Sequence, residues 1–164
     1  MNHALRAVIL LAAGVALRDC VLLAGSVVLW SMHLNERVEA SPDRAHAWLR
    51  CLLDGALLLL AGGLLALHTA VVVFSWWPGA TNTAPLLTVA LLLVVAFGGL
   101  GWRELSLRHG LVAVGALAAL ATTTPWAPWA ACAFAVLIAV ITVVDGARHL
   151  GPMARQLALS HRDR

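Results

Sequence analysis

Lysine and tyrosine are absent from this chain of 164 residues, and charge of either sign is scarce. All eleven cations are arginine, and charged residues make up only 12%, against about a quarter in soluble domains. A net charge of +3 spread along the chain excludes a nucleic-acid-binding surface, which needs basic residues gathered on one face. The exclusive use of arginine reads as coding bias and points to a bacterial source. Cysteine is limited to Cys20, Cys51 and Cys132, with no CxxC pair, so neither a redox motif nor a zinc site is signalled. These three read as free thiols buried in helices. No nucleophile elbow, phosphate-binding glycine loop or soluble pair of carboxylates is present, and the loops are short, so enzymatic chemistry is not indicated.

What fills the chain instead is apolar. Hydrophobic residues make up 62%, and the mean hydropathy is +0.89. A water-soluble domain of this length leaves roughly 30% of its unfolded surface exposed and could not hide so much apolar area. The expected fold is therefore all-α, a polytopic bundle of about five transmembrane helices. A bilayer core of about 30 Å needs roughly 20 helical residues. Five segments qualify: about 7–30, 49–74, 86–102, 107–122 and 129–144. They make a membrane bundle over residues 1–150, followed by a basic cytoplasmic tail, 151–164. Arg6 followed by the apolar run 7–17 has the look of a signal peptide, but no small-x-small cleavage site follows. The first segment is expected to be one uncleaved span.

Turn chemistry separates the spans. Ser41-Pro42-Asp43, Trp76-Trp77-Pro78-Gly79 and Pro125-Trp126-Ala127-Pro128 are break signals. The last two also supply aromatic anchors, so the seven tryptophans read as an interfacial belt. Arg37, Arg44, Arg50, Arg103, Arg108, Arg148, Arg155, Arg162 and Arg164 fall on one side of a five-span chain. The positive-inside rule makes that side cytoplasmic, with the N-terminus out and the C-terminus in. Arg6 is the exception.

Polar residues recur with a period of seven. In the first span these are Ala12, Asp19, Ser26 and His33; in the second, Asp54, Ala61, His68 and Ser75. Seven residues is nearly two helical turns, so each set forms one stripe. The stripes of adjacent antiparallel spans can face each other, giving an intramembrane polar seam of Arg18, Asp19, Ser26, Asp54 and His68. Ionisable residues at membrane depth are costly and suggest function, while polar contacts between helices can also serve only to fix register. Small-residue ridges mark close packing: Ala131, Ala135 and Ala139; Gly115 and Ala119; Gly62, Ala66 and Ala70. The second span, with a polar face and a small face, is expected at the centre, and the uncharged third span against lipid. The hairpins formed by spans two–three and four–five share a Trp-Pro outer turn and suggest a duplication.

His33, His109, Asp145 and His149 lie at cytoplasmic helix ends and are the candidate metal ligands. No cofactor is expected, and no histidine pair has the spacing of a haem site. The leading function is a non-enzymatic subunit of the bacterial cytoplasmic membrane, packed against itself or another membrane protein. The alternatives are a small transporter or proton-conducting unit using the seam, and a redox subunit binding haem or quinone.

Overall fold

The computed structural model describes residues 2–39, 44–76, 84–99 and 106–162. Among the described residues there are six helices and no strand: α1 (His3–Leu17), α2 (Cys20–Glu39), α3 (Arg44–Trp76), α4 (Pro85–Phe97), α5 (Leu107–Ala121) and α6 (Ala130–Arg162).

The first expected span is two helices, not one, and Arg18-Asp19 is where the chain turns back. Arg18 adopts the left-handed conformation, with φ 52° and ψ 42°, and its N–H reaches the carbonyls of Gly14 and Val15. The Asp19 N–H donates to Gly14 O at 2.9 Å, completing the stop of α1. Asp19 Oδ1 then accepts from the backbone N–H of Val21 at 2.8 Å and Leu22 at 3.2 Å, so it caps the N-terminus of α2. The hairpin closes tightly because Gly14 has no Cβ; one there would lie 2.9 Å from the Leu23 side chain. At its far end His3 meets Glu36, Nε2 to Oε1 at 3.1 Å.

The remaining spans correspond to single helices. The segment expected as a tail continues as helix, since α6 runs to Arg162. Helix ends from along the chain gather at one end of the bundle: His3 meets Glu36 and the His109 ring, and Arg108 pairs with Asp145. The end holding the start of α1, the end of α2 and the start of α3 is here called the N-terminal end. The Arg18-Asp19 turn marks the opposite end.

α2 is the central helix and touches all five others. The second span, expected there, is α3, which contacts only α2 and α6 among the described residues. α3 and α6 form the longest interface, antiparallel and backbone-close. A Cβ on Gly146 would sit 3.0 Å from Gly55 O and 3.0 Å from Leu59 N. A Cβ on Gly62 would sit 3.1 Å from Ala139 O. Gly55, Gly62 and Gly146 are therefore what lets these helices touch, and of the α3 ridge Ala66 is exposed. α4, expected to face lipid, buries Thr88, Leu92, Val95 and Ala96 on one side and exposes Leu86, Leu87, Leu93 and Val94 on the other. α3 and α4 share no contact while α5 and α6 do, so the two hairpins are packed differently and a structural duplication is not supported.

Two helices, Leu52–Phe74 and Ala130–Gly151, are long and apolar enough to cross a membrane, with mean hydropathies of 2.4 and 2.3. His3–Leu17, Cys20–Leu34, Pro85–Phe97 and Leu107–Ala121 are shorter apolar helices. Fifteen residues rise only about 22 Å, so two of the long helices outreach the rest.

Candidate functional site

Buried polar groups gather at the two ends of the α1–α2 hairpin, and in both places α4 is what they hold. Arg6 is 1% exposed. Its guanidinium donates from Nη1 to Ala96 O at 2.6 Å and from Nη2 to Gly98 O at 2.8 Å. These are carbonyls at the C-terminus of α4, where helix geometry leaves acceptors without partners and the dipole favours a cation. At the opposite end the Thr88 hydroxyl, in the first turn of α4, donates to Asp19 Oδ2. Between the clamps Leu92 packs into the space left by Gly25, whose absent Cβ would lie 2.7 Å from its side chain.

The N-terminal end carries more chemistry than its sequence announced. The His109 ring lies 5.7 Å from that of His3 and 5.8 Å from that of Phe97, measured between centroids. His109 Nδ1 accepts from the Ser106 N–H at 3.1 Å, so in the neutral ring the proton is on Nε2. That Nε2, His3 Nδ1 and Arg6 Nε are all buried without a protein partner. Nearby, Arg108 donates to Ser31 Oγ at 2.5 Å and pairs with Asp145 at 3.3 Å, tying the start of α5 to α2 and α6. The sequence marks Arg6 only as a charge on the disfavoured side and gives no signal for His3, which precedes the first span, or for Ser31, whose partner is 77 positions away.

The four metal candidates do not form a set. His33 stacks beside Trp30, at 5.9 Å between centroids. Asp145 is engaged by Arg108, and His149 Nδ1 lies 2.8 Å from the carbonyl of Asp145 on its own helix. Among the described residues no group of three or more metal-ligating side chains occurs.

The seam residues are partly brought together. Arg18 is exposed at the turn and Asp19 is buried beside it, bound to α2 and α4. Ser26 and His68 line one cavity of about 600 Å³, while Asp54 is not among its walls. This cavity is a groove. Its floor is α2, with Ser26 and Trp30; its walls are α1, with Val8 and Leu11, and α3, with Leu64 and His68. α1 and α3 both pack on α2 but do not touch each other, which leaves the groove open. The Ser26 hydroxyl donates to Leu23 O at 2.7 Å, whereas His68 Nε2 is buried with no partner.

No family model, curated protein or solved structure matches this chain. Its own geometry offers buried clamps and an apolar groove. Cys20, at the start of α2, and Cys132, in α6, are free and buried.

Proposed function

We propose that this chain is a small polytopic protein of the bacterial cytoplasmic membrane that acts as a non-enzymatic subunit, docking through α3 onto a neighbouring subunit. A second copy of the chain is the simplest such neighbour. One observation carries the reading. Leu53, Leu57, Leu60, Leu64, Leu67, Val71 and Phe74 are all exposed, from 42% to 88%. Their spacing alternates four and three, the a/d pattern of helices that wind around each other with a left-handed crossing. Two copies in one membrane carry this stripe in the same direction, so a two-fold axis along the membrane normal brings stripe onto stripe. Gly63 lies beside it with nothing within 4 Å of its missing Cβ, which allows close approach.

The membrane assignment is supported by the two long apolar helices and by large apolar side chains exposed on all of α1, α3, α4, α5 and α6. Charge supports six crossings. The helix ends and connecting segments at the N-terminal end account for every arginine in the sequence except Arg18. That end is then cytoplasmic, and Arg6, misplaced in a five-span chain, falls on the favoured side.

The test is disulfide cross-linking in native membranes of a Leu60→Cys variant. The reading requires a covalent dimer from Leu60→Cys and none from Val114→Cys, an exposed site on α5. Equal cross-linking from both positions, or none from either together with a monomer in mild detergent, refutes self-association through α3. A heterologous species cross-linked only from the α3 position would keep the docking face and replace the second copy by another subunit.

A further inference from the structure

The groove between α1 and α3 has the size and lining of a small-molecule site. Ligand pockets run from about 300 to 1,000 Å³, mostly apolar with a few placed polar groups, and this one is about 600 Å³ with apolar walls, Ser26 and His68. From Leu57 to His68 its α3 wall extends about 16 Å. His68 is at one end of that length, and Ser26 is on the α2 floor. Ser26 spends its proton on Leu23 O and keeps an oxygen that can accept. His68 offers an imidazole whose Nε2 has no partner in the protein. A buried nitrogen left unpaired costs on the order of 1–3 kcal/mol, and in lipid no water is at hand to relieve it.

Depth decides the class of occupant. His68 precedes the end of α3 at Trp76 by eight residues, about 12 Å along the helix. Phospholipid carbonyls stay in the interfacial layer outside the hydrocarbon core. A hydrogen-bonding group can reach His68 only if a lipid-soluble body carries it there. We infer that the groove binds a membrane-soluble quinone, with the ring carbonyl at His68 and the isoprenoid tail along Leu57, Val8 and Trp30. An imidazole N–H donates to a quinone carbonyl, and the Ser26 oxygen accepts from a quinol hydroxyl, so both oxidation states fit. The inference rests on the membrane assignment of the subunit reading but not on self-association. The stripe residues Leu57, Leu60 and Leu64 also line the groove, so a helix docked there would roof it.

The experiment is titration of the purified full chain, in phosphatidylcholine nanodiscs, with decylubiquinone, reading tryptophan fluorescence. Trp30 is in the groove, so wild type minus Trp30→Phe isolates the local signal. Saturable quenching is expected in wild type, about tenfold weaker in His68→Leu, the loss of one hydrogen bond, and restored in His68→Gln. Ala61→Phe, which fills the groove wall, should abolish it with unchanged elution in size exclusion. Quenching that rises without saturation, or equally in all variants, is partition into lipid and overturns the assignment. Saturable quenching that ignores His68 and is displaced by oleate makes the occupant an acyl chain and equally overturns it. Neither result touches the cross-linking through α3, and failure of that cross-linking leaves the groove intact.

Discussion

Arg6 and Arg18 are the same residue type in opposite roles. Arg6 is buried and makes two charge-assisted hydrogen bonds to the end of α4, each worth about 1.5–3 kcal/mol. Arg6→Met should therefore lower stability by roughly 3 kcal/mol, read as an earlier transition when a thiol-reactive dye reports exposure of buried Cys20 and Cys132 on heating. Arg18 is exposed and left-handed, a conformation costing a non-glycine residue roughly 1–2 kcal/mol. Arg18→Gly should be neutral or raise the transition in the same assay, and a large loss would refute the turn. Asp19 separates cap from charge. Asparagine also caps helices well, whereas alanine forfeits about 1–2 kcal/mol. Asp19→Asn should stay near wild type while Asp19→Ala falls by at least the cap's worth; equal losses would mean that the charge, not the cap, is what matters.

Among the elements, the interface of α3 with α6 is set by glycine and so is sensitive to one methyl group. A Cβ on Gly146 meets backbone atoms of α3 at 3.0 Å, which cannot rotate away. Gly146→Ala should cost about 1–3 kcal/mol. Gly63, on the same pair of helices but facing nothing, is the control: Gly63→Ala should gain up to about 1 kcal/mol of helix propensity. If α3 docks through the stripe beside it, the gain in the isolated protein should come with weaker cross-linking from position 60. This is also where sequence was most and least informative. The ridge Ala131-Ala135-Ala139 marks a packing face by composition alone, and Gly62 meets Ala139, but Ala66 of the ridge Gly62-Ala66-Ala70 is exposed. The stop between α1 and α2 was hidden because its residues are charged. Arg18-Asp19 between two apolar runs reads as polar residues inside one long span, when the physics of a left-handed stop followed by an aspartate cap makes it a turn. The period of seven joining Ala12 to Asp19 therefore crosses two helices, while the part joining Ser26 to His33, and Ala61 to His68, is real and places two polar residues in the groove. His3, Arg6 and His109 could not be linked from sequence at all, since their meeting depends on the hairpin.

For the whole molecule, an odd or even number of crossings turns on that one hairpin, and the consequence reaches both ends of the chain. Five crossings put residue 2 outside and bury position 18 near the bilayer centre. Six crossings put residue 2 inside with the C-terminus and place the 18–19 turn at the outer face. Cysteine accessibility tells these apart in intact cells, on a background with the native cysteines replaced by alanine. With a membrane-impermeant maleimide, Arg18→Cys should label at once, whereas Asn2→Cys and a cysteine appended after Arg164 should label only once the membrane is permeabilised. Labelling of Asn2→Cys with protection of Arg18→Cys would restore the single long span and place Arg6 on the disfavoured side. The arginine distribution predicts which way this falls: a head carrying Arg6 is held inside by the same bias that holds Arg108 and Arg148, and Arg18 alone must cross. Its crossing is the cheaper one, because an arginine at a turn reaches the interface, while one at mid-span costs about 2.5–3.5 kcal/mol.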